Sequence, residues 1–412
     1  MTALGGPAAG ERRVGEAGRF LVPLDAPPAA CWLFDRLYPP HGLRGRVRRR
    51  AGAAAARRAV RTGRRLAGWP FDRVWRLGAV PERWADALAA AAVLGGPRRR
   101  EAGGPPPGAD AWVIGRDEPS NGRRRTVLFR FGAGEAVPRD LVKLRPLEAP
   151  GAPLARERDA LADLARRLPA ELSASVPRPL EHGRTGGFEL LRLSTVPGRS
   201  AYVEMLAAPR DVARIASAFA AAARWLAELH SATRSAAPWR PSPWEELGEG
   251  PAPAWHRQLA AAVDAPPLRP SVGHGDFWPR NLLLDEADRA RPSVVDWEAS
   301  RPAAPPLLDL FDFPLSYGLS YPWPEGGGPE TAFRRTFLAD SAVSRAVRSY
   351  AALYAKAAGW SADLLEPMLR LYLRMRATDR GPFAGRRPTD DPAFWRRCER
   401  LLDEAEGCAL SG

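Results

Sequence analysis

Apolar and polar positions change rhythm along this chain, and the main change falls near residue 110. Beyond it come short runs rich in β-branched and aromatic residues, separated by polar turns. Residues 111–114 (AWVI), 126–131 (TVLFRF) and 141–144 (LVKL) predict three strands. A helical rhythm follows: Leu154, Leu161, Leu164 and Leu168 fall on one face of a helix over 153–168. Residues 188–193 (FELLRL) predict another strand, closed by Val196-Pro197-Gly198. Val212, Ile215, Phe219 and Leu226 then stripe a long Ala-rich helix over 209–230. Two short apolar runs, 282–284 and 293–295, flank a polar turn and predict a hairpin, while the remainder reads as helix. Strands first and helices afterwards predict an α+β protein of two lobes, a small β-rich one over 111–196 and a larger helical one over 197–412.

Ahead of residue 111 the pattern is thinner. Residues 32–38 (WLFDRLY) form a short aromatic-aliphatic run ended by Pro39 and Pro40. Pro81 opens and Gly95-Gly96 closes a predicted helix over 81–94. Residues 97–110 (PRRREAGGPPPGAD) read as a Pro/Gly linker. Trp32, Leu33, Phe34, Trp69, Phe71 and Trp84 would make a mobile tail sticky. Residues 1–110 are therefore expected to be a helical, basic extension packed on or near the lobes.

Composition narrows the class. The 412 residues are 45% hydrophobic and 26% charged, ordinary values for a chain with a core. No run approaches the ~20 apolar residues that span a bilayer, and residues 1–13 lack the apolar centre of a signal peptide. Three scattered cysteines suit neither a disulfide framework nor a zinc cluster. A cytoplasmic protein is expected.

The net charge of +14 is uneven, since residues 1–110 carry 20 Arg against 9 acidic side chains. Residues 44–65 hold ten arginines, Arg44 the first and Arg65 the last, and no acid. Such a run is able to meet phosphate, nucleic acid or an anionic membrane face. Lys143 and Lys356 are the only lysines, so arginine is a habit of the whole chain and a solvated helix face is the simpler reading. No recognised nucleic-acid-binding motif accompanies the run.

The chemistry concentrates in HGDFWPRN (residues 274–281) and VVDWE (294–298). Transfer of a phosphoryl group needs an aspartate to take the proton of the acceptor hydroxyl. It also needs an asparagine and a second aspartate to hold Mg²⁺ between the phosphates. Asp276, Asn281 and Asp296 have those types, with Asp296 placed 15 residues after Asn281 behind a β-run. The 282–295 hairpin would bring Asn281 and Asp296 to one end. Singly, Asp276 could be a turn residue and Asn281 a cap; jointly their spacing points to catalysis. His274 is expected to brace the loop by hydrogen bonds. Lys143, in the apolar strand LVKL, suits the cation that contacts nucleotide phosphates, and Glu157 would fix its direction. Residues 115–125 hold no G-x-G-x-x-G. Backbone amides would have to cover the phosphates there, and Asn121-Gly122 fits an ordinary hairpin turn equally well.

On these residues the chain resembles the aminoglycoside phosphotransferase/choline kinase-like enzymes, which share the protein-kinase-like fold. HGDFWPRN and VVDWE carry the resemblance, with softer support from Lys143, the R-E-x-x-x-L around Glu157, LAELH at 226–230 and PLLDLF at 306–311. It covers roughly residues 111–400. It implies a small-molecule kinase using ATP or GTP and Mg²⁺, with Asp276 as base, Asn281 and Asp296 as metal ligands and Lys143 on the phosphates. It further implies that Leu193 to Val196, Thr195 included, form a hinge whose backbone receives the adenine. Asp309 would be the aspartate that supports the catalytic loop. Arg280 and the basic extension depart from the family pattern. Trp239, Trp244, Trp255, Trp278 and Trp323 would offer faces to a small hydroxyl substrate, or belong to the core. A near-neutral lobe argues against a polycationic acceptor. The alternatives are a nucleotide-binding regulatory pseudokinase and an anionic-surface binder working through residues 44–65.

Overall fold

Eight strands form one antiparallel sheet in the order β3-β1-β2-β4-β5-β6-β8-β7. They are β1 (Arg13–Ala17), β2 (Phe20–Pro23), β3 (Arg73–Arg76), β4 (Ala111–Arg116), β5 (Thr126–Phe131), β6 (Asp140–Pro146), β7 (Pro179–Thr185) and β8 (Phe188–Ser194). The computed structural model describes residues 13–17, 20–23, 33, 51–59, 73–76, 111–116, 126–132, 135–149, 153–237, 257, 259, 269–323, 326–378, 391–405 and 410.

Four strands match the runs expected after residue 110: β5 coincides with its run, β8 is one residue longer, β4 two and β6 three. In β5 burial alternates over Thr126 to Phe129, with Thr126 and Leu128 inside, and Phe131 at the strand end is buried out of phase. Central β6 is different: Val142, Lys143 and Leu144 are buried in succession, as befits a strand covered on both faces. β7 escaped the sequence reading. Its PLEHGRT carries Pro179, Gly183 and three charged or ionisable side chains, which a sheet edge tolerates.

The extension is not purely helical. Its β2 pairs with β4 at Phe20↔Gly115 and Leu21↔Ile114, and β1 pairs with β2 and β3. These strands of four or five residues are too short to show a period in sequence, and pairing along β4 gives their backbone groups partners. Residues 51–59 are helical (α1), with Gly52, Ala53, Ala56 and Ala59 buried and Arg57 and Arg58 exposed. Leu33 is buried. Trp32, Phe34, Trp69, Phe71, Trp84, the rest of 44–65, the expected helix over 81–94 and the linker over 97–110 lie outside the described residues.

The chain divides into two compact units. One comprises Met1–Arg158 with Arg178–Thr195, the other Asp159–Pro177 with Val196–Gly412. Residues 159–177, read from sequence as part of the β-rich lobe, go with the second. They include most of α2 (Leu154–Arg167) and α3 (Ala170–Ser173).

The second unit is helical apart from two small sheets, β12-β11-β9 and β10-β13. These strands are β9 (Arg199–Ser200), β10 (Ser271–Gly273), β11 (Leu282–Leu284), β12 (Ser293–Val294) and β13 (Arg301–Ala304). α4 (Ala201–Ala207) precedes α5 (Val212–Ala232), whose N-terminus is capped by Asp211 accepting from the Arg214 N–H at 3.0 Å. Then follow α6 (Leu307–Ser320), α7 (Pro329–Phe337), α8 (Ala342–Ala358), α9 (Leu365–Thr378) and α10 (Pro392–Glu404). Phe219 of α5 sits at the centre, edge-on to Phe313, Tyr317 and Tyr350 at 5.2, 5.4 and 5.7 Å. A β unit followed by a helical one is the two-lobed α+β fold expected. Among the described residues no helix is long and apolar enough to cross a membrane.

Candidate active site

The loop after β10 is built around a glycine. Gly275 has φ +77°, and a Cβ there would lie 2.3 Å from the Ala299 carbonyl oxygen, so only glycine fits between His274 and Asp276. Asp309, in the first turn of α6, receives the bend. Its Oδ2 accepts the His274 N–H at 2.6 Å and its Oδ1 the Gly275 N–H at 2.9 Å. Burial alone would raise the Asp309 carboxyl. His230 (Nε2 at 3.8 Å), His274 and the Gly275 N–H outweigh burial and hold it below the usual carboxylate range.

His274 ties the loop to the hairpin. Its Nδ1 accepts the Asp276 N–H at 3.3 Å, which leaves Nε2 as the protonated nitrogen, donating to the Val295 carbonyl at 3.0 Å. This is the bracing role expected of it. Phe277 is wholly buried, stacked on Trp225 at 5.8 Å and against Phe313 at 5.2 Å. The residue following Asp276 thus pins the loop into the aromatic core.

Asn281 closes the loop on its other side. Its Nδ2 donates to the Asp276 carbonyl at 3.0 Å and to Asp276 Oδ2 at 3.2 Å. Both amide protons are thereby engaged, which turns the amide oxygen to other uses. The hairpin forms with Leu282 opposite Val294, and the Val295 N–H donates to the Asn281 carbonyl at 3.0 Å. Asn281 and Asp296 therefore stand at the same end of β11 and β12. Asp296 adopts φ 71°, the one positive value among described non-glycine residues, and Trp297 behind it is fully buried. A left-handed aspartate is a strained choice that surrounding structure must enforce.

In the first unit, Lys143 Nζ donates to both carboxylate oxygens of Glu157 at 2.8 Å. The Glu157 side chain is 1% exposed and that of Lys143 10%. Leu193 is buried in β8 between Leu141 and Pro179 of the neighbouring strands. Thr195, the last residue of this unit, donates its hydroxyl to the Pro138 carbonyl at 3.0 Å. Gly115 lies near the end of β4, and residues 117–125 of the candidate phosphate-covering turn are outside the described residues.

Of the five candidate tryptophans, Trp239, Trp244 and Trp255 are also outside the described residues. Trp323 packs on Tyr321 at 4.6 Å and donates Nε1 to the Gly318 carbonyl at 2.9 Å. Trp278 lies under Arg280, whose guanidinium also faces Tyr202, at 4.7 and 4.8 Å from the two ring centres. Arg280 stands out in the sequence, whereas Tyr202, 78 residues away, carries no signal there. Asp312, three residues from Asp309 in a helix, has a spacing signal that the motifs above do not include.

Residues 119–359, more than half of the chain, match the phosphotransferase enzyme family. A viomycin phosphotransferase of Streptomyces vinaceus is 28% identical over 213 residues, which span 44% of this chain and 74% of that protein. An aminoglycoside phosphotransferase of Streptomyces rimosus, solved with ADP and streptomycin, is 19% identical. It covers 67% of this chain and 99% of its own, with a TM-score of 0.34. A Plasmodium vivax ethanolamine kinase is 8% identical, covers 70% of this chain and 81% of its own, and has a TM-score of 0.33.

Proposed function

Because the chain belongs to the phosphotransferase enzyme family, we propose that it is a small-molecule kinase moving the γ-phosphoryl group of ATP or GTP to a hydroxyl. The observation that carries this reading is the closed loop in which Asn281 is hydrogen-bonded to Asp276 and shares a hairpin end with Asp296. In it Asp276 is the base, held with its carboxylate toward the acceptor hydroxyl as the Asn281 amide and the bend at Gly275 fix its position.

The donor set suits Mg²⁺. An amide oxygen and a carboxylate are hard ligands, and two protein groups leave room for phosphates and water. Among the described residues no group of three His, Cys, Asp or Glu side chains gathers as a metal site, so an ion at this pair would take its remaining ligands from phosphates and water. Bound there, Mg²⁺ would neutralise phosphate charge; Asn281 and Asp296 would hold it. Lys143 would contact the phosphates, directed by Glu157. Leu193 and Thr195 would offer backbone groups to the nucleotide base.

The test is Mg²⁺-dependent phosphate transfer from labelled ATP or GTP to a panel of hydroxyl compounds. Asp296→Ala should shift the Mg²⁺ requirement upward at fixed nucleotide. Unchanged metal dependence would remove Asp296 from the ligand set. Absence of any Mg²⁺-dependent nucleotide binding by the native chain would overturn the kinase reading and favour a regulatory role.

Lys143→Arg should impair nucleotide binding and rate despite its unchanged charge. A planar guanidinium replaces a compact ammonium that Glu157 grips through both oxygens. Wild-type affinity and rate in that variant would show that Lys143 is not the phosphate contact.

A further inference from the structure

Three residues of the helical unit outside the loop machinery meet between α6 and α9. Asp312 stands one turn along α6 from Asp309. Phe313, the next residue, packs on Phe277 at 5.2 Å, so Asp312 and Asp276 each adjoin one ring of a contacting pair. Tyr372 of α9 donates its hydroxyl to Asp312 Oδ1 at 2.6 Å, and Arg376, one turn further on, donates to Oδ2. The guanidinium also lies over the Tyr372 ring, 5.6 Å from its centre. Tyr372 is fully buried, whereas the side chains of Asp312 and Arg376 keep 16% and 20% of their surface open.

A third carboxylate near two others is an unfavourable choice for the fold. Burial pushes the Asp312 carboxyl up to about 6 against the pull of Arg376 and Tyr372, and the charges of Asp309 and Asp276 add to the push. Apolar side chains would join α6 to α9 without that desolvation cost. An ion pair kept beside a candidate base, and partly open, points to a task beyond packing.

Resting on the kinase reading above, we propose that Asp312 and Arg376 recognise the acceptor and select an uncharged polyhydroxy compound. Such an acceptor presents a second hydroxyl next to the one being phosphorylated. A hydroxyl both donates and accepts, so the carboxylate takes its proton while the guanidinium serves its oxygen. An ammonium at the same place gains Asp312 but meets Arg376, and a carboxylate meets the reverse. Each charged class therefore carries one uncompensated repulsion. The charge of residues 199–412, with 26 basic and 27 acidic side chains, agrees with a neutral acceptor.

The test titrates myo-inositol, glucosamine and gluconate into the full chain carrying Mg²⁺ and a non-hydrolysable ATP analogue. Inositol should bind roughly 10-fold or more tightly than either charged probe. Arg376→Gln should lift the penalty on glucosamine alone, and Asp312→Asn the penalty on gluconate alone. Equal affinities in the native chain, or binding of none of the three, would overturn the proposal. So would substitutions that weaken all probes alike while lowering the melting temperature, which is the behaviour of a helix clamp. Failure of the analogue to bind with Mg²⁺ is seen before any probe is added, and would remove the kinase reading and this proposal together.

Discussion

Asp276→Asn should lower turnover by roughly 10²–10⁴, the usual weight of a positioned acid or base, while nucleotide affinity stays close to that of the native chain. The separation of the two effects follows from the loop. The Asn281 amide donates to the Asp276 backbone carbonyl at 3.0 Å as well as to Oδ2, so the substitution spares one of the two bonds. Phe277 remains buried against Trp225, and Asp309 still receives the bend at His274 and Gly275. The fold is therefore preserved and only the proton acceptor is lost. Single-turnover transfer to a hydroxyl acceptor, with nucleotide binding measured in parallel, checks it. A variant that keeps native turnover would show that Asp276 does not take the proton.

The largest expected loss of stability comes from Asp309→Ala. Two backbone N–H groups, of His274 and Gly275, would lose their acceptor, at about 1–3 kcal/mol each. Because Asp309 is 1% exposed, water does not readily replace the lost carboxylate. Urea unfolding should show the change, and an unchanged midpoint would mean that the bend is held by something else. Acid sharpens the test. The folded state holds Asp309 below the ordinary carboxylate value of about 3.9. Its contribution is fully present above that value and disappears as pH falls through the lowered one. Native protein should lose this increment of stability below about pH 4, and Asp309→Ala should lack that part of the acid limb.

Much of the site could be read without coordinates because its chemistry is local in sequence. Asp276, Asn281 and Gly275 fall within seven residues, and the apolar runs on either side of the 285–292 turn are long enough to specify a hairpin. Periodicity likewise located α2 and most of α5, since an amphipathic face needs only the spacing of its leucines and alanines. β7 was missed for the opposite reason: an exposed edge strand places few apolar side chains, and its pairing with β8 supplies the order. The strands of the N-terminal extension are the same case. Four or five residues carry no clear period, β1 is further interrupted by Gly15, and the backbone of β4, which β2 pairs along, has no mark in the amino-acid order.

Residue type and spacing along the chain were enough for the fold class, and they nominate Asp276, Asn281, Asp296 and Lys143 as candidates. These depend on local propensity and on chemistry that demands particular side chains. Long-range packing decided the rest. It seated Phe277 among Trp225 and Phe313 and set Tyr372 and Arg376 on Asp312 some 60 residues away, and it realised two contacts the sequence had suggested, Glu157 on Lys143 and Asp309 under the bend. Such meetings follow from how helices and strands fill a common core, where burial strengthens each polar contact and penalises each one left unmade.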